Sequence, residues 1–455
     1  MNSGRFFVAV SALLVFAGAG MAQSSSDPEL QRARELSEIK WTPVHDIQLR
    51  GKKETYCRAG VEQTGIIYSS AALIDRFVPY DVSLYTFLTC VHNPYSALYT
   101  ECLNPKYPRS AYGIKYNCWS GSGPWMGVVC SVFSSYAAGF QSPVNSRLHA
   151  TLCEEGVIEK IADQSSQGVE LYDILWWKGH NLFVTGVTRA ADAVASGSAS
   201  KGAGAASQVV SIEISQSVSP SVIRTTYSAE AFDSLKVAKE MVIYRRADMS
   251  GQGQPPVYEM PSPLVYNDAI CTYAGDRACF SEGELIVIHC LDRQYKKMEL
   301  YKDGRLISVI PLEKSMLVHN ADLGIRGGGE TDPGAYAVNL SGLDLKYGMY
   351  KARLVNSSSG IGASFDSDAR QASAPTDFEI LDTRASCKNG ILHFHSENGT
   401  PIFYRVDTGL QRLLSADDVS KGSLDVALPS GKKHDIRVWF QGRFGRRSTL
   451  VTVSD

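Results

Sequence analysis

The sequence has no Cys-x-x-Cys pair and no His-x-x-x-His pair, so the common zinc frameworks have nothing to stand on. Neither charge sign is in excess. With 45 Lys and Arg against 47 Asp and Glu the net charge is -2, which offers no electrostatic footprint for nucleic acid or an anionic membrane surface. After residue 22 no apolar run is long enough to span a bilayer. Tryptophan is scarce at 6 residues while tyrosine reaches 22, a balance that suits β-domains and wet aromatic grooves.

What is present begins at the N-terminus. Arg5, an apolar run from Phe6 to Ala19 and the small-residue end Gly20-Met21-Ala22 have the layout of a secretory signal peptide. The expectation is a secreted or periplasmic protein, cleaved near Ala22. Ten cysteines in an oxidising compartment could pair, and Cys102 with Cys118 and Cys271 with Cys279 are the local candidates, although connectivity is not readable from sequence. His393 and His395 alternate on a predicted strand and read as a solvated pair rather than a metal site.

The chain divides by pattern. Residues 1–22 form the signal peptide, and 23–255 mix helices with strands, opening on a capped amphipathic stretch from Pro28 to Leu36. Ala190 to Ser207 is almost all Ala, Gly and Ser and reads as a loop inserted between two strands. Residues 256–382 and 383–455 carry short strands at regular spacing, with Lys302-Asp-Gly-Arg305 as a predicted hairpin turn. These two segments predict two all-β sandwiches of immunoglobulin-like type, by architecture alone, since the Cys–Trp–Cys pattern of true immunoglobulin domains is missing.

Chemistry concentrates in two stretches. In Gly127-Val-Val-Cys130-Ser-Val-Phe-Ser-Ser-Tyr-Ala-Ala-Gly139 the apolar spacing predicts a helix opening on Cys130 and stopping at Gly139. A thiol at a helix N-terminus meets unpaired N–H groups and the positive end of the dipole, which favour thiolate and can hold an oxyanion. Leu171-Tyr-Asp-Ile-Leu-Trp-Trp-Lys-Gly-His180-Asn-Leu-Phe-Val-Thr-Gly186 reads as strand, turn and a second strand opening on His180, an imidazole that could take the thiol proton. Alone, Cys130 can be a buried small hydrophobe and His180 a structural residue at a hairpin edge.

Together, Cys130-Ser-x-Phe-x-Ser-Tyr and Gly-His180-Asn-Leu-Phe-Val-Thr-Gly resemble the nucleophile helix and histidine strand of the NlpC family, the cell-wall endopeptidase branch of the papain-like fold. Gly65-Ile-Ile-Tyr68 resembles that family's upstream Gly-x-Pro-Tyr segment. The resemblance spans roughly residues 64–213, with Val129 where the family has Asp, Tyr172 where it has Gly, and a long insertion from Asp81 to Trp125. It implies an α+β papain-like (NlpC-type) catalytic domain ahead of the two sandwiches.

The expected activity is hydrolysis of amide bonds, with peptidoglycan stem peptides as default substrate. Cys130 would be the nucleophile and His180 the base, with no metal and no cofactor. Glu213, on the strand after His180, is the candidate to orient the imidazole, and Asp173 reads as a strand-end residue bonding backbone. Tyr68, Trp125 and Trp177 are the candidate substrate-binding residues, and the sandwiches could touch a glycan or cell surface. Two alternatives stay open: an inactive secreted binding or adhesion protein on the same scaffold, or an amidase acting on a lipid-linked or small-molecule amide.

Overall fold

The computed structural model describes residues 27–48, 55–69, 78–80, 82–96, 98–99, 126–141, 143–190, 208–247, 264, 266–272, 277–282, 286–323, 325, 332–366, 371–382, 384–396, 401–407, 410, 412–426, 428, 434–440 and 451–454. The signal segment, Trp125, Cys102 and Cys118 lie outside them.

The first unit pairs helices with a six-stranded antiparallel sheet, beside two short two-stranded ones. Helix α1 (Pro28–Glu38) starts where Asp27 accepts the Glu29 N–H, and its Leu30, Ala33 and Leu36 are buried. Helices α2 (Leu84–His92), α3 (Cys130–Ala137) and α4 (His149–Glu154) follow. The sheet comprises β1 (Ile158–Lys160), β2 (Ile174–Trp177), β3 (His180–Arg189), β4 (Val209–Ser217), β5 (Val222–Ser228) and β6 (Val242–Arg246). Its order is β1-β6-β2-β3-β4-β5, and helix α5 (Ala229–Lys239) joins β5 to β6. Strands β3 and β4 pair antiparallel across the Ala/Gly/Ser segment, as expected of an insertion within a sheet.

Strand alternation splits the sheet's side chains between two cores. Ile174, Phe183 and Val222 join α1, α2 and α3 in one cluster. Leu175, Leu182, Val184, Ile212 and Ile214 join Phe232 of α5 in another. Each face is thus sealed by different helices.

Two β-sandwiches follow. In the first, four strands in the order Ile270–Thr272, Val287–Cys290, Ala335–Asn339 and Leu317–Val318 face five in the order Arg277–Ser281, Thr376–Leu381, Gly348–Val355, Lys297–Lys302 and Arg305–Pro311. Ile288 and Val338 of one sheet meet Met298, Leu354 and Phe378 of the other in a shared core. The Lys302–Arg305 hairpin forms as its sequence predicts, with Asp303 and Gly304 both at positive φ, 47° and 77°. The candidate partners Cys271 and Cys279 fall on strands of opposite sheets. In the second sandwich, three strands (Ala385–Lys388, Ile391–Phe394, Ser423–Asp425) face four (Arg412–Leu413, Ile402–Val406, Asp435–Phe440, Val451–Ser454). Leu392, Ile402, Ile436 and Val438 fill the space between them. No helix among the described residues is long and apolar enough to cross a membrane.

Candidate functional site around Cys130

Helix α3 begins at Cys130 and Gly139 follows its C-cap at φ 80°, both as predicted. The approach is fixed by close backbone contact. Tyr68 bridges Val128 in parallel, and a Cβ on Gly127 would lie 2.6 Å from the Ile67 carbonyl oxygen. Tyr68 is therefore held beside the strand that delivers Cys130, partly buried against the first core. The Ser217 hydroxyl donates to the Val128 carbonyl at 2.8 Å, tying β4 to the same approach.

Val129 supplies no side-chain cap, so the first N–H groups of α3 are left for other acceptors. Cys130 is a thiol, 6 % exposed. Burial pushes its pKa up, against the N–H groups of Asn181, Ser131 and Cys130 itself, which favour thiolate. Desolvation wins, so the Cys130 pKa lies above that of a free thiol.

His180 does not meet it. Between His180 and Phe183 strand β3 pairs with β2 in unbroken register, so His180 shares a face with Leu182, and Asn181 with Phe183. Leu182 packs in the α5 core and Phe183 in the α3 core, which places His180 on the side away from Cys130. Its neighbours agree: the Trp177 ring lies 5.0 Å away, and Lys239 of α5 stands 6.0 Å over that ring. The imidazole Nε2 bonds Gln216 Oε1 at 2.9 Å. Burial lowers the His180 pKa, with the Gln216 bond raising it and Lys239 lowering it further.

The expected carboxylate is elsewhere too. Glu213 accepts from the Thr185 hydroxyl at 2.9 Å, on the α3 face, while Gln216 takes the place beside His180. Alternation gives Glu213 the face opposite Ile212 and Ile214, and it misses His180 because His180 lies on the other face; only Val209 is displaced, by a register slip between Thr188 and Arg189. The slip sends Val209 to the same core as Ile212 and Ile214. Trp177, expected in a substrate cleft, belongs with His180 on the α5 face.

Asn181 is the residue the sequence reading passed over. It is 3 % exposed, it faces α3, its backbone N–H points at the Cys130 sulfur, and its Oδ1 is buried with no hydrogen-bond partner among the described residues. The signal was available in the run Leu182-Phe183-Val184: had the aromatic been assigned to the helix side, parity would have selected Asn181.

Asp173 fulfils its predicted role and adds another. It is fully buried, accepts the Glu170 N–H at 2.8 Å, and pairs with Arg245 at 2.9 Å. Burial pushes the Asp173 carboxyl up more than Arg245 pulls it down, whereas the same pair raises Arg245. The desolvation cost falls on Asp173, because the guanidinium keeps 29 % of its side-chain surface. Tyr172 before it sits at φ 75°, a left-handed turn that a glycine would adopt without strain.

No protein-family model matches the sequence, and the search of curated proteins finds no match. Among solved structures, the chain is similar to the fibronectin(III)-like modules of Clostridium thermocellum CbhA, at 13 % identity and TM-score 0.18, over 41 % of this chain and 92 % of that one. A BSP domain of a biofilm associated protein matches at 12 % identity and TM-score 0.15, over 54 % and 42 % of the two chains. A chimeric titin Z1Z2 tandem matches at 10 % identity and TM-score 0.14, over 39 % and 93 %. These likenesses are too slight to bear on function.

Proposed function

We propose that the chain is an exported binding protein built on a papain-like scaffold, which holds an amide-bearing peptide beside Cys130 without cleaving it. The observation that carries this reading is the face assignment of β3, which sets a carboxamide, Asn181, rather than an imidazole against the buried thiol. A nucleophilic cysteine needs a base within hydrogen-bond reach and a depressed pKa. Cys130 has a raised pKa, and the ring nitrogen expected to serve it bonds Gln216 on the other side of the sheet.

The same surroundings suit binding. Uncapped N–H groups at the start of α3 can donate to a carbonyl oxygen, and Asn181 Oδ1 can accept from the N–H of the same amide. Peptidoglycan stem peptides remain the default ligand on the sequence resemblance, and the two sandwiches would extend the contact or hold it away from the surface. The Cys–His hydrolase reading loses its base.

The test is direct. Mature protein is incubated with purified peptidoglycan, new termini are sought by mass spectrometry, and binding of a stem tetrapeptide is measured by calorimetry. Binding without new termini, with Cys130 alkylated by iodoacetamide more slowly than free cysteine at pH 7, is the expected result. Turnover that disappears in Cys130→Ala would overturn the reading.

A further inference from the structure

The N-terminal unit and the first sandwich meet in a joint rather than a linker. Leu323, Ile325 and Ala335 of the sandwich are buried in the same apolar cluster as Val91 and Tyr95. At this joint stands Asp332. Its carboxylate accepts the Tyr95 hydroxyl at 2.5 Å, the Asn320 N–H at 2.5 Å and the Gly334 N–H at 2.9 Å. His319, on the sandwich, brings Nδ1 to 3.7 Å of the same group.

His45 approaches from the N-terminal unit. It is buried, packs edge-on against Tyr99 at 5.3 Å between centroids, and lies within electrostatic reach of Asp332. The Pro94 backbone bonds the ring, Asp46 is the second acid near it, and Arg293 acts on Tyr95 across the joint. His45 Nε2 is buried without a hydrogen-bond partner among the described residues. Among the described residues no acceptor lies within hydrogen-bond distance of that nitrogen, so a proton placed there would be buried unpaired.

We propose that the Asp332 joint is an acid-sensitive latch, closed while His45 is neutral and weakened when His45 takes up a proton. Burial holds the His45 pKa below its ordinary value, with Asp332 and Asp46 opposing. A base whose pKa is lowered in the closed state leaves that state fully stable above the free histidine value, near 6.5, and weaker as pH falls. One linked proton raises the opening constant by at most roughly 30-fold between pH 7.5 and 5.0.

The experiment is hydrogen exchange on the full mature chain at the two pH values, corrected for intrinsic rates. Segments 91–96 and 332–340 report the joint, and 435–440 in the second sandwich serves as control. Protection at the joint should fall up to about 30-fold at pH 5.0 while the control holds. His45→Gln should flatten this response, and Tyr95→Phe should weaken the joint similarly at both pH values. His289, fully buried and 5.9 Å from the Tyr95 ring, is the third histidine at the joint. His319→Gln and His289→Gln should each keep the full response, which decides among the three histidines even if His45→Gln fails to fold. Joint protection that is independent of pH, that rises in acid, or that loses its response in His319→Gln or His289→Gln would overturn the latch.

Discussion

The two faces of the central sheet share their strands and differ in everything attached to them. The α3 face carries Cys130, Asn181, Phe183 and the Thr185–Glu213 bond. The α5 face carries His180, Trp177 and Gln216. A Cys and a His fifty residues apart can look like a catalytic pair in sequence and still be separated by the thickness of a sheet. Adjacent strand residues are adjacent only along the backbone, because their side chains leave in opposite directions.

The strongest way to break this comparison is to hollow each face separately. Phe183→Ala should cost about 4 kcal/mol and Leu182→Ala about 3 kcal/mol, both read from urea unfolding. Only the first should alter the alkylation rate of Cys130. A Cys130 rate that responds to Leu182→Ala alone would mean the faces are assigned the wrong way round.

Next in size is the buried ion pair at the start of β2. Asp173→Ala leaves Arg245 without its buried partner and the Glu170 N–H without an acceptor, and should cost about 3 kcal/mol. A loss below about 1 kcal/mol in denaturant titration would show that the guanidinium reaches solvent without penalty.

Parity itself can be sharpened by moving the imidazole. Asn181→His puts a base on the Cys130 side and should raise iodoacetamide labelling of Cys130 about tenfold at pH 7.5. A melting curve on the same variant checks that the face still packs. No rate change in a folded variant would count against the placement of Asn181.

The smallest effect belongs to the residue first expected to matter most. His180→Gln should lose about 1 kcal/mol with its Gln216 bond. It should leave Cys130 labelling within about twofold, since the two sites lie on separate faces. With its pKa lowered by burial, His180 contributes stability that is complete above the unfolded value near pH 6.5 and declines as pH falls. The variant's stability profile should be flatter over that range than that of the parent.

Much of the local structure followed from residue order. The helix starting at Cys130 follows from apolar spacing and Gly139, the hairpin at Asp303-Gly304 from turn chemistry, and the insertion between β3 and β4 from composition. The partners did not follow. Glu213 took the face opposite Ile212 and Ile214 that alternation gave it, but His180 took the other face, and Asn181 was hidden behind a more reactive neighbour. Nor did local pattern announce that Leu323, Ile325 and Ala335 of the first sandwich pack into the core of the first unit.

The sequence by itself determined where elements begin and end, because caps, turns and apolar periods act over a few residues. Only the tertiary structure decided which face of the sheet receives α3 and which receives α5. That choice depends on the packing of segments far apart in the chain, and a single step of strand parity turns a base toward the thiol or away from it.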